Sequence, residues 1–229
     1  MERIQVLDHG YVEFIEAWGH GSESSEDYER GIIEAARQST QGSFRGWEED
    51  KKLLKYLYKN KHYTPFEFSG MVLEIQAPIF VFREWQRHRT QSYNEMSARY
   101  APLPYLNYLP TIDRIMMNSA ANKQAGAVKD ANEITTNVAE EFICDLVAVY
   151  DTAENMYQQY LKLGVPKELA RIVLPVGRYS RMRASANLRN WLAFVSLRSD
   201  PNAQWEIQQY SNAVQQLGKK YFPKTWENV

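Results

Sequence analysis

The chain has 229 residues, 44% of them hydrophobic, and a formal net charge of −1. This size and apolar content predict one domain with its own core, and the near-neutral charge disfavours generic binding to nucleic acid or to a membrane surface. No apolar run reaches the roughly 18 residues that a membrane-spanning helix needs. The start of the chain lacks the apolar segment of a signal peptide, so we expect a cytoplasmic protein.

The first sixty residues predict a hairpin followed by two helices. Apolar and polar residues alternate in 3–18 around an Asp-His-Gly turn, which is typical of two paired strands. Ser24 or Ser25 is a candidate cap for a helix over 26–38. Apolar residues at helical spacing predict a second helix over 47–59.

A helix start follows at Thr64-Pro65. Proline suits the first helical position, and Glu67 stands at capping-box spacing from Thr64. The N-terminus of a helix also attracts anions, so a plain cap and an anion site both remain open here.

The next two elements lead into a cluster of charged residues. We predict a strand over 69–77 and a helix that opens at Pro78. Glu84, Arg87 and His88 stand at i, i+3 and i+4, which predicts that they share one face of that helix.

Segment 87–100 reads RHRTQSYNEMSARY and holds three arginines, one histidine, two serines, an asparagine and a glutamate. Such a segment does not suit a core, because buried charge is costly unless it is paired. Arginine fits phosphate or carboxylate with two parallel hydrogen bonds, and serine and asparagine add short polar contacts. The composition predicts a site for a ligand with a phosphate and a polar ring. An ion-pair network between subunits is the alternative that composition leaves open.

The remaining chain is predicted to be mainly helical, apart from an irregular stretch over 101–126. A long amphipathic helix is expected over 128–163, for the core or for a subunit interface. The elements after it are a short helix over 167–172 that carries Arg171, a strand over 178–183, and helices over 186–197 and 202–217.

One helical face near the C-terminus has polar ends and an aromatic middle. Asn187, Trp191, Phe194 and Arg198 follow one another at offsets of 0, +4, +7 and +11, which places them on one face. That face could hold an extended or stacked ligand, and an ordinary core face with polar ends is the alternative.

Several common kinds of site are absent from the sequence. The single cysteine, Cys144, excludes an intrachain disulfide or a cysteine-based metal site, and its apolar helical surroundings predict a small buried side chain. No two histidines have metal-ligand spacing, and no dinucleotide or phosphate-binding glycine loop is present, so we expect no metal site and a cofactor, if any, outside the common folds. A serine activated by a histidine stays open. We interpret residues 1–229 as a single α+β domain.

The order of residues in 87–100 resembles the signature of the flavin-dependent thymidylate synthases. That signature runs Arg-His-Arg, two variable residues, Ser, one variable, Asn-Glu, one variable, Ser, one variable, Arg-Tyr, and every specified position is filled here. The likeness covers roughly 62–100 and 165–210, and its further segments lie at 62–67, 77–81, 171–175, 187–189, 197–198 and 203–208.

The resemblance implies a fold and an activity. The expected fold is α+β, with a small antiparallel sheet and several helices including one long helix, assembled as a homotetramer whose active sites combine several subunits. The expected reaction methylates dUMP to dTMP. Methylenetetrahydrofolate supplies the carbon and reduced FAD supplies the hydride, and NADPH regenerates the reduced flavin.

The same resemblance implies roles for individual residues. The implied dUMP-binding residues are Glu84, Arg87, Glu95, Met96, Ser97, Ala98, Arg99, Arg171 and Arg198. The implied FAD-binding residues are His62, Thr64, Glu67, Arg87, His88, Arg89, Asn187 and Arg189. Arg198 is the implied catalytic residue, because a permanent cation beside the uracil would stabilise negative charge on the ring and polarise carbon-5 without a cysteine adduct.

One residue departs from the pattern of the family, and two other functions remain as alternatives. Glu84 stands where the family usually has glutamine, and we expect Arg87 or another arginine to neutralise it. A non-catalytic nucleotide- or RNA-binding oligomeric module is one alternative, although the net charge argues against RNA. A helical scaffold whose arginines pair across interfaces is the other. We expect no nucleic-acid or membrane partner.

Overall fold

The centre of the molecule is an antiparallel sheet. The computed structural model describes residues 2–20, 27–117, 125–127 and 133–228. Its five strands, in the spatial order β1-β2-β3-β5-β4, are β1 (Arg3–Val6), β2 (Gly10–Trp18), β3 (Gly70–Pro78), β4 (Ser92–Glu95) and β5 (Tyr179–Asn187). The predicted hairpin and the predicted strand at 69–77 are confirmed.

The side chains of β3 alternate between the core and the outer face of the sheet. Leu73, Ile75 and Ala77 are each fully buried, whereas Glu74 and Gln76 are half-buried. This period of two is the expected signature of a sheet with one face against helices. The core therefore lies between one face of the sheet and the helices.

The helices surround that face. They are α1 (Arg30–Gln38), α2 (Trp47–Lys59), α3 (Ile79–Trp85), α4 (Ile112–Met116), α5 (Thr136–Lys162), α6 (Lys167–Ala170), α7 (Leu188–Arg198), α8 (Trp205–Tyr221) and α9 (Pro223–Trp226). Two 3-10 turns add Thr64–Phe68 and Arg171–Val173. None of the helices within the described residues is long and apolar enough to cross a membrane.

Four predicted helix starts differ from the structure, those of α1, α5, α7 and α8, and α8 begins at Trp205 instead of 202. Helix α1 begins at Arg30 instead of 26, and the predicted caps Ser24 and Ser25 lie outside the described residues. Helix α5 begins at Thr136, where the Thr135 hydroxyl accepts a hydrogen bond from the Val138 amide at 3.4 Å. The earlier part of its predicted range, 128–132, also lies outside the described residues.

Strand β5 is longer than predicted, at the expense of the helix after it. Ala184 and Ala186 pair with Leu73 and Met71 of β3, and these backbone hydrogen bonds keep the chain extended as far as Asn187. Helix α7 therefore starts at Leu188, and the Asn187 side chain caps it by accepting a hydrogen bond from the Asn190 amide at 3.0 Å.

The aromatic middle of the helix face predicted for a ligand belongs to the core. Trp191 and Phe194 are fully buried, and the Trp191 indole donates to the Met71 carbonyl at 3.0 Å. The ligand interpretation of that middle was wrong and the core alternative is confirmed. Only Asn187 and Arg198, at the two ends of α7, remain available to a ligand.

Helix α5 is attached to the rest of the chain on one side only. The fully buried Arg178 pairs with Glu154, and the Tyr150 hydroxyl donates to the Tyr108 carbonyl at 3.1 Å. Cys144 is exposed on this helix, so the prediction of a buried cysteine was wrong. The exposed large apolar residues of α5 and its C-terminal end include Val138, Phe142, Val149, Met156 and Leu163.

Candidate functional site

Helix α3 ends at Trp85, before the arginine-rich segment begins. The Gln86 amide still donates to the Phe82 carbonyl at 2.8 Å, and the chain then turns. The prediction that Glu84, Arg87 and His88 share a helical face was therefore wrong, because Arg87 and His88 lie beyond the helix.

Strand β4, which was not predicted, holds the turn in place. The Tyr93 hydroxyl lies 2.7 Å from the His88 carbonyl and 3.2 Å from the Trp85 carbonyl. The Trp85 indole donates to the Gln91 side chain at 3.0 Å. Gln91 and Tyr93 occupy variable positions of the signature, so the motif gave no reason to single them out. The sequence of 92–95, Ser-Tyr-Asn-Glu, has no apolar alternation that would have predicted the strand.

The guanidinium of Arg198 is held by two residues at the end of α3 and in the turn. Its Nε donates to Nε2 of His88 at 2.9 Å, and one Nη donates to the Glu84 carboxylate at 2.8 Å. The other Nη donates to the Glu84 carbonyl at 2.7 Å. Glu84 is thus neutralised by Arg198, which confirms the expectation that Arg87 or another arginine would do so and shows that the partner is not Arg87.

This arrangement requires a neutral His88. Its Nε2 must carry a lone pair to accept from a guanidinium, so the ring proton resides on Nδ1. Burial and the nearby positive charge of Arg198 lower the pKa of His88 to about 4, although Glu84 opposes this shift. The ring also packs edge-on against Phe194, with centroids 4.9 Å apart.

A cleft opens beside this cluster. It measures about 820 Å³ and lies between α4, the end of α7 and the start of α8. Glu84 and Arg198 line it on one side, and Arg114 and Trp205 on the other. The Arg198 side chain is only 11% exposed, so its charge sits in a partly desolvated wall of the cleft, where electrostatic interactions are stronger than in water.

Residues implied to bind FAD meet at the opposite end of α7. Glu67, in the 3-10 turn Thr64–Phe68, forms an ion pair with Arg189, and the Asn190 side chain donates to the Thr90 carbonyl at 3.3 Å. These two contacts bring Glu67 and the segment that follows Arg89 to the start of α7, next to Asn187 and Arg189. His62 and Thr64 instead line a pocket with Ala35, Leu57 and Phe68. His88 is also apart from this group, because its side chain lies at the Arg198 end.

The donors at this end suit a phosphate-bearing cofactor. Arg87 and Arg89 are exposed, and neither forms an ion pair with any residue that the structure describes. Only the side-chain oxygen of Asn187 takes part in the helix cap, so the hydrogens of its side-chain amide remain as donors. Free guanidinium and amide donors fit a pyrophosphate and a polar ring.

The implied nucleotide loop follows β4 and docks against α6. The Met96 amide donates to the Arg181 carbonyl at 2.7 Å, and Arg99 lies 3.3 Å from Glu168. The Ser97 hydroxyl accepts from the Arg99 amide at 3.3 Å, an interaction that supports the turn. Ala98 is buried, so its side chain anchors the loop.

These contacts place the nucleotide loop beside Arg171. Lys167 at the start of α6 donates to the Tyr100 carbonyl at 3.0 Å, and Arg171 follows directly after α6. Glu95 accepts from Gln86 at 3.2 Å, which links the loop back to the turn. Within the described part of this single chain, neither Arg99 nor Arg171 is hydrogen-bonded to Arg198.

The chain matches one family over most of its length. The family model described as "Thymidylate synthase complementing protein" matches residues 22–224. The flavin-dependent thymidylate synthase of Thermotoga neapolitana is 36% identical over 225 residues, which cover 98% of this chain and 93% of that protein. An enzyme of the same name from Thermus thermophilus is 37% identical over 223 residues, 97% of this chain and 76% of that protein.

A solved structure gives the same picture of the fold. It is a UMP/dUMP methylase, PolB, from Streptomyces cacaoi, with a TM-score of 0.80 in the form bound to 5-Br UMP and 0.81 in the form bound to 5-Br dUMP. The identities are 29% and 28%, and each comparison covers 98% of this chain and at least 95% of the other.

Proposed function

Since the chain belongs to the flavin-dependent thymidylate synthase family, we propose that it is an FAD-dependent enzyme that converts dUMP to dTMP by reductive methylation. Methylenetetrahydrofolate is the carbon donor and becomes tetrahydrofolate, and NADPH is the source of reducing equivalents. We also propose that residues 1–229 act as one domain. The observation that supports the proposal most strongly is the guanidinium of Arg198, held in a cleft wall by neighbours that leave part of it free.

Arg198 supplies the electrostatic part of the mechanism. An arginine has five N–H groups, and three of those on Arg198 are used by His88 and Glu84. The two that remain can meet the ring nitrogen and carbonyl of uracil, where negative charge develops. Stabilising that charge makes carbon-5 more nucleophilic. A thiol adduct is not needed, which agrees with the exposed position of Cys144 on α5.

The binding of dUMP rests on the loop after β4. Arg99 and Arg171 are the cations for the phosphate, and Arg87 is a further donor toward the nucleotide. Ser97 and the amides around Glu95, Met96 and Ala98 supply neutral donors. Phosphate is recognised well by such a mixture of guanidinium and backbone N–H groups.

FAD would be held at the N-terminal end of α7. Arg87 and Arg89, both exposed, would pair with its phosphates, and His62, Thr64 and Asn187 would offer polar contacts. Arg189 is paired with Glu67, so this pair is a neutral contact. Bound and reduced FAD supplies the hydride, while the chain binds and orients the reacting rings.

We propose a homotetramer whose active sites combine subunits. Two observations support it. Among the residues that the structure describes, the nucleotide loop and Arg198 are not hydrogen-bonded to each other within one chain, and α5 exposes a row of large apolar side chains. A groove of about 560 Å³ on α5 is lined by Val149, Met156 and Val173. A group of exposed apolar side chains is typical of a protein interface. In a homo-oligomer, the symmetry-related copy of the chain can cover such a face.

The direct test is formation of dTMP from dUMP, methylenetetrahydrofolate and NADPH, with and without FAD. We expect product only when FAD is present. A parallel reaction with UMP in place of dUMP tests whether the chain also accepts the ribonucleotide, because the name of the Streptomyces neighbour includes both nucleotides. Absence of both product and bound flavin would contradict the proposal and favour a binding module.

A further inference from the structure

The side chains of Glu84, His88 and Arg198 form one cluster, although the resemblance implies dUMP contacts for two of them and an FAD contact for the third. Glu84 was assigned to dUMP and His88 to FAD, yet both direct their polar atoms at Arg198. His88 is held in this cluster by two contacts, because the Tyr93 hydroxyl donates to its carbonyl and the Phe194 ring packs against the imidazole.

We propose that Glu84 and His88 are positioning residues that aim the two unused N–H groups of Arg198 at the pyrimidine. This inference rests on the proposed function. It assigns His88 a role at the nucleotide, through Arg198, instead of a role confined to the flavin.

The geometry of the contacts carries the argument. His88 holds Nε, and Glu84 holds both Nη atoms, one through its carboxylate and one through its main-chain carbonyl. Three hydrogen bonds to a planar group fix both its position and its orientation, so the directions of the two remaining N–H groups, one on each Nη, are fixed as well. A cation that is already oriented needs no rearrangement as charge develops on the substrate.

The chemistry of the two acceptors also fits positioning. A guanidinium has only donors, and the Glu84 carboxylate and the Nε2 lone pair of neutral His88 are both acceptors for it. Of the charged groups nearby, Glu84 and Arg198 face His88 directly, and Asp200 and Arg114 lie farther along the cleft. The imidazole stays neutral beside the guanidinium, which keeps its Nε2 lone pair available.

Two matched pairs of variants test the inference. His88→Gln and Glu84→Gln keep an acceptor at the same reach, whereas His88→Ala and Glu84→Ala remove it. We would measure FAD affinity, KM for dUMP and kcat at saturating FAD and dUMP for all four. A misdirected catalytic group costs on the order of 100-fold in rate, so we expect each alanine variant to lose about 100-fold in kcat. Each glutamine variant should recover a large part of the kcat that the matching alanine variant loses, because glutamine restores an acceptor for Arg198.

The outcomes separate positioning from ligand binding. If saturating FAD restores kcat in His88→Ala, or if Glu84→Ala changes only KM for dUMP, the residues bind those ligands and the inference is overturned. Should His88→Ala fail to fold, the Glu84 pair decides alone, because the Glu84 side chain is 42% exposed and is not part of the core. A parent enzyme that makes no dTMP would refute the proposed function itself, before any variant is compared.

Discussion

The two ends of helix α7 differ in how far the chain completes them. At the C-terminal end, Arg198 is 11% exposed and holds three hydrogen bonds to its neighbours. At the N-terminal end, about 16 Å away, Arg189 is 50% exposed and holds one ion pair with Glu67. The chain therefore pre-organises the cation that we propose to be catalytic, while it leaves the proposed cofactor end open to be completed by a ligand or by another subunit.

The largest expected effect follows from removing the ordered cation. Arg198→Ala should lower kcat about 100- to 1,000-fold, which is the loss seen when a preorganised oxyanion donor is removed. FAD affinity should be unchanged, because Arg198 lies at the other end of α7. Steady-state kinetics and a flavin-binding titration on the same preparation check both parts. Arg198→Lys serves as control, since it keeps the charge but not the planar fork.

Substitutions at the proposed FAD site, near the N-terminal end of α7, should change FAD affinity instead of kcat. Arg87→Ala removes a charge-assisted hydrogen bond worth about 1.5–3 kcal/mol, so FAD affinity should fall about 10- to 100-fold. A flavin fluorescence titration measures this directly. Arg83→Ala, on the exposed side of α3, is the matched control and should leave FAD affinity unchanged. Equal losses in both variants would indicate a general effect of surface charge.

The His88 cluster at the C-terminal end of α7 should also make the stability of the protein depend on pH. Because the pKa of His88 is about 4 in the folded chain and near 6.5 otherwise, His88 takes up a proton on unfolding between these values. Its contribution to stability is therefore complete above about pH 6.5 and is lost as the pH falls toward 4. His88→Gln cannot titrate, so its melting temperature should fall less than that of the parent between pH 7 and pH 5. Identical falls would contradict a neutral His88.

The smallest expected effect concerns the exposed ion pair. Glu67→Gln breaks the pair with Arg189, and exposed pairs contribute about 0–1 kcal/mol to stability. The melting temperature should shift by less than about 4 °C for a chain of this size. A larger shift would mean that the N-terminal end of α7 is as tightly constructed as the C-terminal end.

Hydrophobic periodicity predicted most of the sheet and the helices. Helix α2 was predicted with its observed limits, Trp47–Lys59, and the alternation in β3 identified its core face. The misplaced boundaries have a common cause. The start of α7 and the existence of β4 depend on pairing with strands far away in sequence, such as β3 with β5, and no local pattern contains that information.

The site shows the same limit at the level of single residues. The signature singled out Arg87, His88, Arg89 and Arg99 as candidates, but the partner of Glu84 depended on how the turn after α3 folds back onto α7. Arg198 lies 114 residues from Glu84 in sequence, and helical spacing favoured the nearer Arg87. Spacing predicts neighbours along a helix, whereas this contact is tertiary.

The most direct test of separate roles for the two ends is dTMP formation as a function of FAD concentration in Arg89→Ala and Arg198→Ala, assayed side by side with the parent. We predict that Arg89→Ala needs more FAD but approaches the kcat of the parent, and that Arg198→Ala stays inactive at every FAD concentration. Recovery of Arg198→Ala by FAD, or a loss of kcat in Arg89→Ala that FAD does not reverse, would contradict this account.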